Sequence, residues 1–389
     1  MKRERPQINA KLAEGEKLMY KVCHMTSAHK SNDVRIFVKE CSSLARAGYK
    51  TYLVARGESR VENGVHVIGV GEPEGGRLAR ATSFAAKVYK TALRLDADVY
   101  HFHDPELIPW GLKLKKKGKK VIFDSHERYT EQILCKDYLP KPALKFIAGG
   151  YGAYEKYALR RFDAVIFPCT IGGKNPFKGL CRRTAIIGNP VVLAEFYDLY
   201  DPSIKSEDNT VCYIGGLTED RGITNDVRAA YKAGVKLLLA GDFSPESYGE
   251  KLKKMPEYSC VEHLGFLDRE QVRLAMQRAK VGLYTLRDRG QYFKIDTFGI
   301  KVYEYMSMGL PVVLSDCEYN RKMVEKYKFG LCVDSEDTFQ IAKAIRTIID
   351  DPETAKQMGE NGRKAVAERF NWGIEEKRLF KLYESVLRK

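Results

Sequence analysis

The amino-acid sequence predicts an α/β chain folded as two doubly wound, mostly parallel-sheet domains. Three observations carry this. At 389 residues the chain exceeds what one domain of about 100–200 residues needs and is comfortable for two. Short apolar, β-branched runs alternate along it with amphipathic stretches, the pattern of βαβ units. No 20–50-residue repeat is visible, which excludes solenoids and propellers.

The elements follow in order. In the first half, strands are expected at residues 18–25, 51–54, 65–68, 98–102, 120–123 and 164–167, with helices at 33–47, 78–94 and 105–116. The stretch 141–162, KPALKFIAGGYGAYEKYALRRF, mixes apolar and basic residues. It suits a helix packed on the core, or one lying on a membrane interface. After Pro190, VVLAEFYDLYDPSIKSEDNT is polar and carries Pro202, which is linker chemistry and places the domain boundary near residue 200. The domains expected are therefore 1–200 and 201–389. The second half repeats the pattern with strands at 211–214, 236–240, 259–262, 281–284, 311–314 and 331–333. Helices are expected at 225–233, 269–278, 301–308 and 339–350, then a helical tail at 352–387.

Hydrophobic residues make up 44% and charged residues 30%, a globular composition that excludes global disorder. The nine cysteines are odd in number and form no C-x2-C pair, so reduced thiols in a cytoplasmic setting are expected. No run approaches a membrane span, and the basic start MKRERPQINAKLAEGEK has no apolar run behind it. The net charge is +15 and uneven: residues 1–200 hold 35 Lys and Arg against 21 Asp and Glu, residues 201–389 hold 31 against 30. A basic first half suits an anionic lipid surface or a phosphate-bearing partner.

In an open parallel sheet, ligands bind beyond the carboxyl ends of the strands. YHFHDPEL (100–107) puts His101 and His103 on one face at such an end, with Asp104 placed to cap the next helix and Pro105 in its first turn. His103, the last residue before the cap, is expected to project into the ligand crevice. FDSHERY (123–129) repeats the arrangement with Asp124 and His126. YIGGLTEDRGI (213–223) is a strand, a glycine turn and a helix start: Gly215 and Gly216 permit close backbone approach and Arg221 supplies a bidentate phosphate donor. In KIDTFGIKVYEYMSMGLPVV (294–313), Asp296 lies in a loop and Glu304, eight residues on, lies one turn into a helix. There it is placed to accept hydrogen bonds from sugar or ribose hydroxyls, while the helix N-terminus around Gly299 receives an anion. The alternative is a surface carboxylate on an amphipathic helix, which periodicity alone does not exclude.

Taken together these residues resemble the retaining nucleotide-sugar glycosyltransferases of the GT-B fold, family 4 (glycosyl transferases group 1). YIGGLTEDRGI and the Asp-x7-Glu of DTFGIKVYEYMSMGLPVV are similar to the family's donor motifs, as are RIFVKECSSLARAGY and HFHDPEL in the first half. GNP (188–190) resembles the approach to the interdomain linker and FNWGIEEKRLFKLYESVL the closing helix. The resemblance implies two Rossmann-like domains facing a central cleft, acceptor side first and donor side second, with the tail packing back towards the first domain. It implies that Gly215, Gly216 and Arg221 contact the donor diphosphate, with Lys301 a second phosphate ligand. Glu304 would bind the ribose, and Asp296 with Thr297, Phe298 and Gly299 the donor sugar. His103 would sit against that sugar, so His103, Asp296 and Arg221 are the implied catalytic residues. His29, Asp33, Arg35 and His126 are acceptor-side candidates. Three departures stand out: Gly216 replaces a usual arginine, Asp296 a usual glutamate, and HMTSAHKSNDVRIF (24–37) lacks the family's Gly-Gly.

The implied reaction is retaining transfer from a nucleotide-sugar to a glycan or polyprenyl-diphosphate-linked glycan, in cell-surface polysaccharide or glycolipid synthesis. Metal, other cofactor and nucleic acid are not expected; the site is expected in the cytoplasm, peripheral at the inner face of the cell membrane. Asp96-Ala97-Asp98, the one DxD string, reads as a helix-to-strand turn. Two other readings stay open: a metal-dependent hydrolase on His101, His103, Asp124 and His126, and a GT-B-type nucleotide-sugar epimerase or sugar phosphorylase.

Overall fold

A computed structural model describes residues 19–134, 140–204, 206–289 and 292–388. The basic start at 1–17, Leu18 of the first expected strand, and Cys135 lie outside these residues. The chain divides into two compact units, Met1–Gly188 with Glu375–Lys389, and Asn189–Ile374.

The first unit is built on β1 (Lys21–Lys30), β2 (Lys50–Arg56), β3 (Arg60–Glu62), β4 (Val65–Gly69), β5 (Val99–Phe102), β6 (Lys120–Asp124), β7 (Ala164–Phe167) and β8 (Thr184–Ile186). They form one sheet in the order β3-β4-β2-β1-β5-β6-β7-β8, parallel throughout except for the β3/β4 pair. The chain winds outward from β1 through β2 to β4, then returns beside β1 as β5 and winds the other way. The crevice that this reversal opens lies at the carboxyl ends of β1 and β5. His24 pairs in register with His101 across it.

The second unit holds β9 (Thr210–Ile214), β10 (Lys236–Ala240), β11 (Val261–Gly265), β12 (Val281–Tyr284), β13 (Val312–Ser315) and β14 (Gly330–Val333), all parallel, in the order β11-β10-β9-β12-β13-β14. Its reversal point lies between β9 and β12. One face of this sheet is covered by Phe196, Tyr305, Met306, Phe329 and Phe370, the other by Val227, Ile341 and Ile345. Strands buried on both faces explain why they read as continuous apolar runs.

The expected boundary near residue 200 falls inside the second unit. Val191 and Phe196 are buried in its core, and Arg363 stacks on Tyr197 and Tyr200 at 4.0 and 4.3 Å while donating to the Tyr197 carbonyl. The polar residues that read as a linker are the outer surface of a segment pinned by interleaved aromatics. The tail forms two helices, Pro352–Glu368 and Trp372–Leu387, and its residues from Glu375 onward belong to the first unit. Strands β3 and β8, three residues each, are too short for a period-2 signal. The helix at 33–47 opens as π-helical Val34–Cys41 before α-helical Ser42–Arg46. Asp96 takes a left-handed conformation, φ 47°, in a helix-to-strand turn. No helix of the described residues is long and apolar enough to cross a membrane.

Candidate functional site

Five of the chain's seven histidines gather at the carboxyl ends of β1 and β5 in the first unit. His24, His101 and His103 are fully buried, His126 is partly buried, and His29 is a third exposed. His103 therefore does not project into open space. Its Nε2 lies 3.0 Å from His24 Nδ1, and its Nδ1 faces His126 Nε2 at 3.3 Å and Asp124 Oδ2 at 3.4 Å. Burial pushes its pKa down to about 4 and holds His24 and His101 well below the usual imidazole range. All three are neutral at physiological pH.

Arg35, an acceptor-side candidate, is buried. Its guanidinium donates to both Asp124 oxygens at 2.8 and 3.0 Å and to the carbonyls of Ile187 and Gly188. It is a clamp between β6 and the end of the unit. Its charge outweighs burial and holds the Asp124 carboxyl well below the usual range. Asp104 does not cap the following 3-10 turn, Pro105–Leu107. Its side chain turns back and accepts from Thr26 Oγ1, Ser27 N and Ala28 N at 2.8, 2.6 and 3.1 Å, fixing the carboxyl-terminal part of β1. Backbone amides of the neighbouring strand β1 outcompete the local cap, a preference that no local sequence rule anticipates. Asp33 does cap its helix, accepting from Arg35 N and Ile36 N. Its carboxylate also faces His29 Nδ1 at 3.3 Å. Burial lowers the His29 pKa, but the Asp33 hydrogen bond and the Asp104 charge outweigh it and leave His29 raised. Thus His29 and Asp33 form the accessible polar pair of this unit's reversal point, with Arg35 and His103 beneath them.

In the second unit, Gly215 and Gly216 follow β9, and Arg221 ends the 3-10 turn Glu219–Arg221. Gly222 has φ 79°, and a Cβ there would stand 2.1 Å from the Thr285 carbonyl oxygen, so only glycine brings the turn against β12's end. Arg221 lies among Tyr213, Tyr284 and Tyr292, with its guanidinium 5.7 Å from the Tyr292 ring. Among the described residues no carboxylate is paired with it. Tyr284, whose pKa burial pushes up to about 12, links this turn to the other motif, because its hydroxyl packs against Gly299. A Cβ at Gly299 would meet that oxygen at 1.8 Å. Gly299 begins the helix Ile300–Ser307 without a side-chain cap, which leaves first-turn amides available to an anion. Phe298 is buried against Tyr303, Tyr319, Phe329 and Phe370, and Thr297 Oγ1 lies 3.1 Å from the Tyr303 hydroxyl. The Asp296–Gly299 turn is thus seated on an aromatic floor.

Glu304 is not a surface carboxylate. It is fully buried, and it accepts from Lys301 Nζ at 2.8 Å and Arg269 Nη1 at 2.7 Å. Arg269 also pairs with Glu195 and stacks over Phe196 at 4.5 Å. Sequence reasoning missed Arg269, Glu195, His24, Glu40 and Tyr383. His24 left one trace, an imidazole inside an apolar strand; the others are brought in by long-range topology.

Residues 35–191 match the model of Glycosyltransferase Family 4, and residues 200–365 match that of the glycosyl transferases group 1. The chain belongs to the group 1, family 4 glycosyltransferases. It is 24% identical over 359 residues to a phosphatidyl-myo-inositol mannosyltransferase of Mycolicibacterium smegmatis, covering 88% of this chain and 87% of that one. It is 24% identical over 200 residues to an alpha-D-kanosaminyltransferase of Streptomyces kanamyceticus, half of this chain and 48% of that one. Among solved structures, a sucrose-phosphate synthase of Thermosynechococcus elongatus matches with a TM-score of 0.71 at 20% identity, over 94% of this chain and 99% of that one. Anabaena HepE, in complex with UDP and glucose, matches with a TM-score of 0.69 at 16% identity, over 94% and 100%. These likenesses show the fold, GT-B with two parallel-sheet domains.

Proposed function

We propose that this glycosyltransferase moves a sugar from a nucleotide-sugar to a glycan or lipid-linked glycan, with retention and without a metal at the diphosphate, in cell-surface polysaccharide or glycolipid synthesis. The observation that carries the reading is Arg221, a half-buried cation with no carboxylate partner among the described residues, set on a glycine turn beside an uncapped helix N-terminus. Such a pair of positive groups answers the charge that builds on a departing diphosphate. Support for the donor class comes from HepE, whose structures hold UDP and UDP-glucose.

In this mechanism Arg221, Lys301 and the amides after Gly299 hold the diphosphate. Glu304, oriented by Arg269, accepts from the ribose hydroxyls. Asp296, with the backbone of Thr297, Phe298 and Gly299, holds the donor sugar. The acceptor hydroxyl attacks from the face that the phosphate leaves, and its proton passes to the departing phosphate oxygen through an oxocarbenium-like state. His29 and Asp33 orient the acceptor. Arg35, His126 and His103 act as positioning residues, because their polar atoms are engaged with Asp124 and with one another. A lipid-linked acceptor is supported by the helix Lys141–Leu159. It buries Leu144, Ala148 and Leu159 but exposes Phe146, Ile147, Tyr154 and Tyr157. The groove beside it is lined by Lys113, Lys116, Tyr157 and Arg161.

Calorimetric titration with nucleoside diphosphates tests the reading. Arg221→Ala and Glu304→Gln are each expected to weaken binding at least about tenfold, or about 1.4 kcal/mol. Wild-type affinity in both variants would overturn the site.

A further inference from the structure

The histidine cluster of the first unit contains a group that the transfer reaction does not use. Glu40, on the π-helical segment Val34–Cys41, is fully buried against the face of β1 and β5 that carries His24, His101 and His103. Its Oε2 stands 3.8 Å from His24 Nδ1, 3.9 Å from His101 Nε2 and 3.9 Å from His103 Nε2. Its Oε1 faces Arg35 Nε at 3.3 Å, yet neither carboxylate oxygen, nor His101 Nε2, makes a hydrogen bond. Three imidazole nitrogens and one carboxylate oxygen thus converge on one point, all within 4.8 Å of one another, inside a fully buried pocket. Polar atoms taken out of water without partners are costly.

The outward nitrogens of the same rings are held. The Tyr383 hydroxyl lies 3.1 Å from His24 Nε2 and 2.9 Å from His101 Nδ1. His103 Nδ1 faces Asp124, itself gripped by Arg35. A ring whose far nitrogen bonds a hydroxyl or carboxylate presents its near nitrogen's lone pair inward, which is how metal-binding histidines are oriented. A tetrahedral ion with bonds of about 2.0–2.2 Å sets its ligands about 3.3–3.6 Å apart. The separations to Glu40 exceed this by a few tenths of an ångström, and the 3.0 Å contact between His24 and His103 falls slightly short of it. Small side-chain rotations close the difference.

We propose that His24, Glu40, His101 and His103 form a closed, four-coordinate site for a zinc-class divalent ion that ties β1, β5 and the Val34–Cys41 segment together. Nitrogen and oxygen donors without sulfur suit zinc or a neighbouring first-row ion. Four protein ligands leave no open position, so the ion is structural, and it rigidifies the floor beneath the end of β1 and the turn after it, which carry His29 and Asp33. Because the three imidazoles are neutral, binding moves the proton between His24 Nδ1 and His103 Nε2 to the outward His24 Nε2, against the Tyr383 hydroxyl, and frees both near nitrogens for the ion. The nearby trio His103, Asp124 and His126 is the poorer candidate, because Arg35 already takes both Asp124 oxygens.

The test uses the whole protein, purified without metal-affinity steps, stripped with a strong chelator and titrated with Co2+ and then Zn2+. One cobalt per chain is expected, with the intense visible bands of tetrahedral coordination, displaced by one zinc. Glu40→Gln and His101→Gln are expected to weaken zinc binding at least tenfold and abolish those bands, while His126→Ala retains them. Zinc is also expected to raise the wild-type melting temperature, a readout that stands even where a variant fails to fold. Absence of stoichiometric binding, an octahedral cobalt spectrum, or bands lost in His126→Ala but kept in Glu40→Gln would overturn the proposal.

Discussion

Gly299 and Tyr284 show how a single missing side chain shapes the donor region. With the tyrosine hydroxyl where an alanine Cβ would stand, Gly299→Ala must displace β12's last side chain or the helix start. The variant is expected to fold with a lowered melting temperature and to bind nucleoside diphosphates at least about tenfold more weakly; unchanged affinity would detach this turn from the donor. Asp226 carries a different prediction. It is fully buried, with Thr285 Oγ1 donating to Oδ1 and no partner for Oδ2. Burial pushes its pKa from 3.8 up to about 8. The folded protein then holds a proton that the unfolded chain has lost, so stability falls as pH rises between those two values and the loss is complete above the upper one. Melting temperatures from pH 5 to 9 are expected to decline less steeply in Asp226→Asn than in wild type; equal slopes would contradict the assignment.

At the scale of elements, the segment Val34–Cys41 does the most. It places Arg35 and Glu40 in the interior, where Arg35 bridges Asp124 and Glu40. Arg35→Met leaves two buried carboxylates without their cation and is expected to cost about 3–5 kcal/mol in denaturant unfolding; a loss below about 1 kcal/mol would show the clamp to be dispensable. The strands of both reversal points were legible in the sequence because central parallel strands are apolar on both faces. The Gly215–Arg221 turn and the Asp296–Glu304 segment were legible because glycine, charge and helix start fall close together in the chain. What stayed hidden was long-range. Asp104 reads locally as a cap yet bonds the end of β1, and nothing near Glu304 in the chain announces that Arg269 from another helix holds it. Phe196 sits in a stretch whose polarity suggests a linker.

For the whole molecule, the charge is as uneven as the roles assigned to its halves, with all but one unit of the excess of Lys and Arg in the first 200 residues. The proposed lipid-linked acceptor would account for that asymmetry together with the exposed aromatics of Lys141–Leu159. The full chain is expected to co-sediment with vesicles containing anionic phospholipid and to be released as salt is raised. Phe146→Ser should weaken this retention without altering nucleotide affinity, and equal retention on neutral vesicles would contradict the electrostatic part of the account.

The measurement that tests the central claim most directly is the melting temperature of wild type and Arg221→Ala against a panel of nucleoside diphosphates and nucleotide-sugars. It is read as the increment each ligand adds with and without chelator. One nucleotide family is expected to raise the wild-type value by several degrees, by the same increment under both conditions, and to leave Arg221→Ala nearly unmoved. No increment from any nucleotide, or one that requires added divalent metal, would contradict a metal-free donor site built on Arg221.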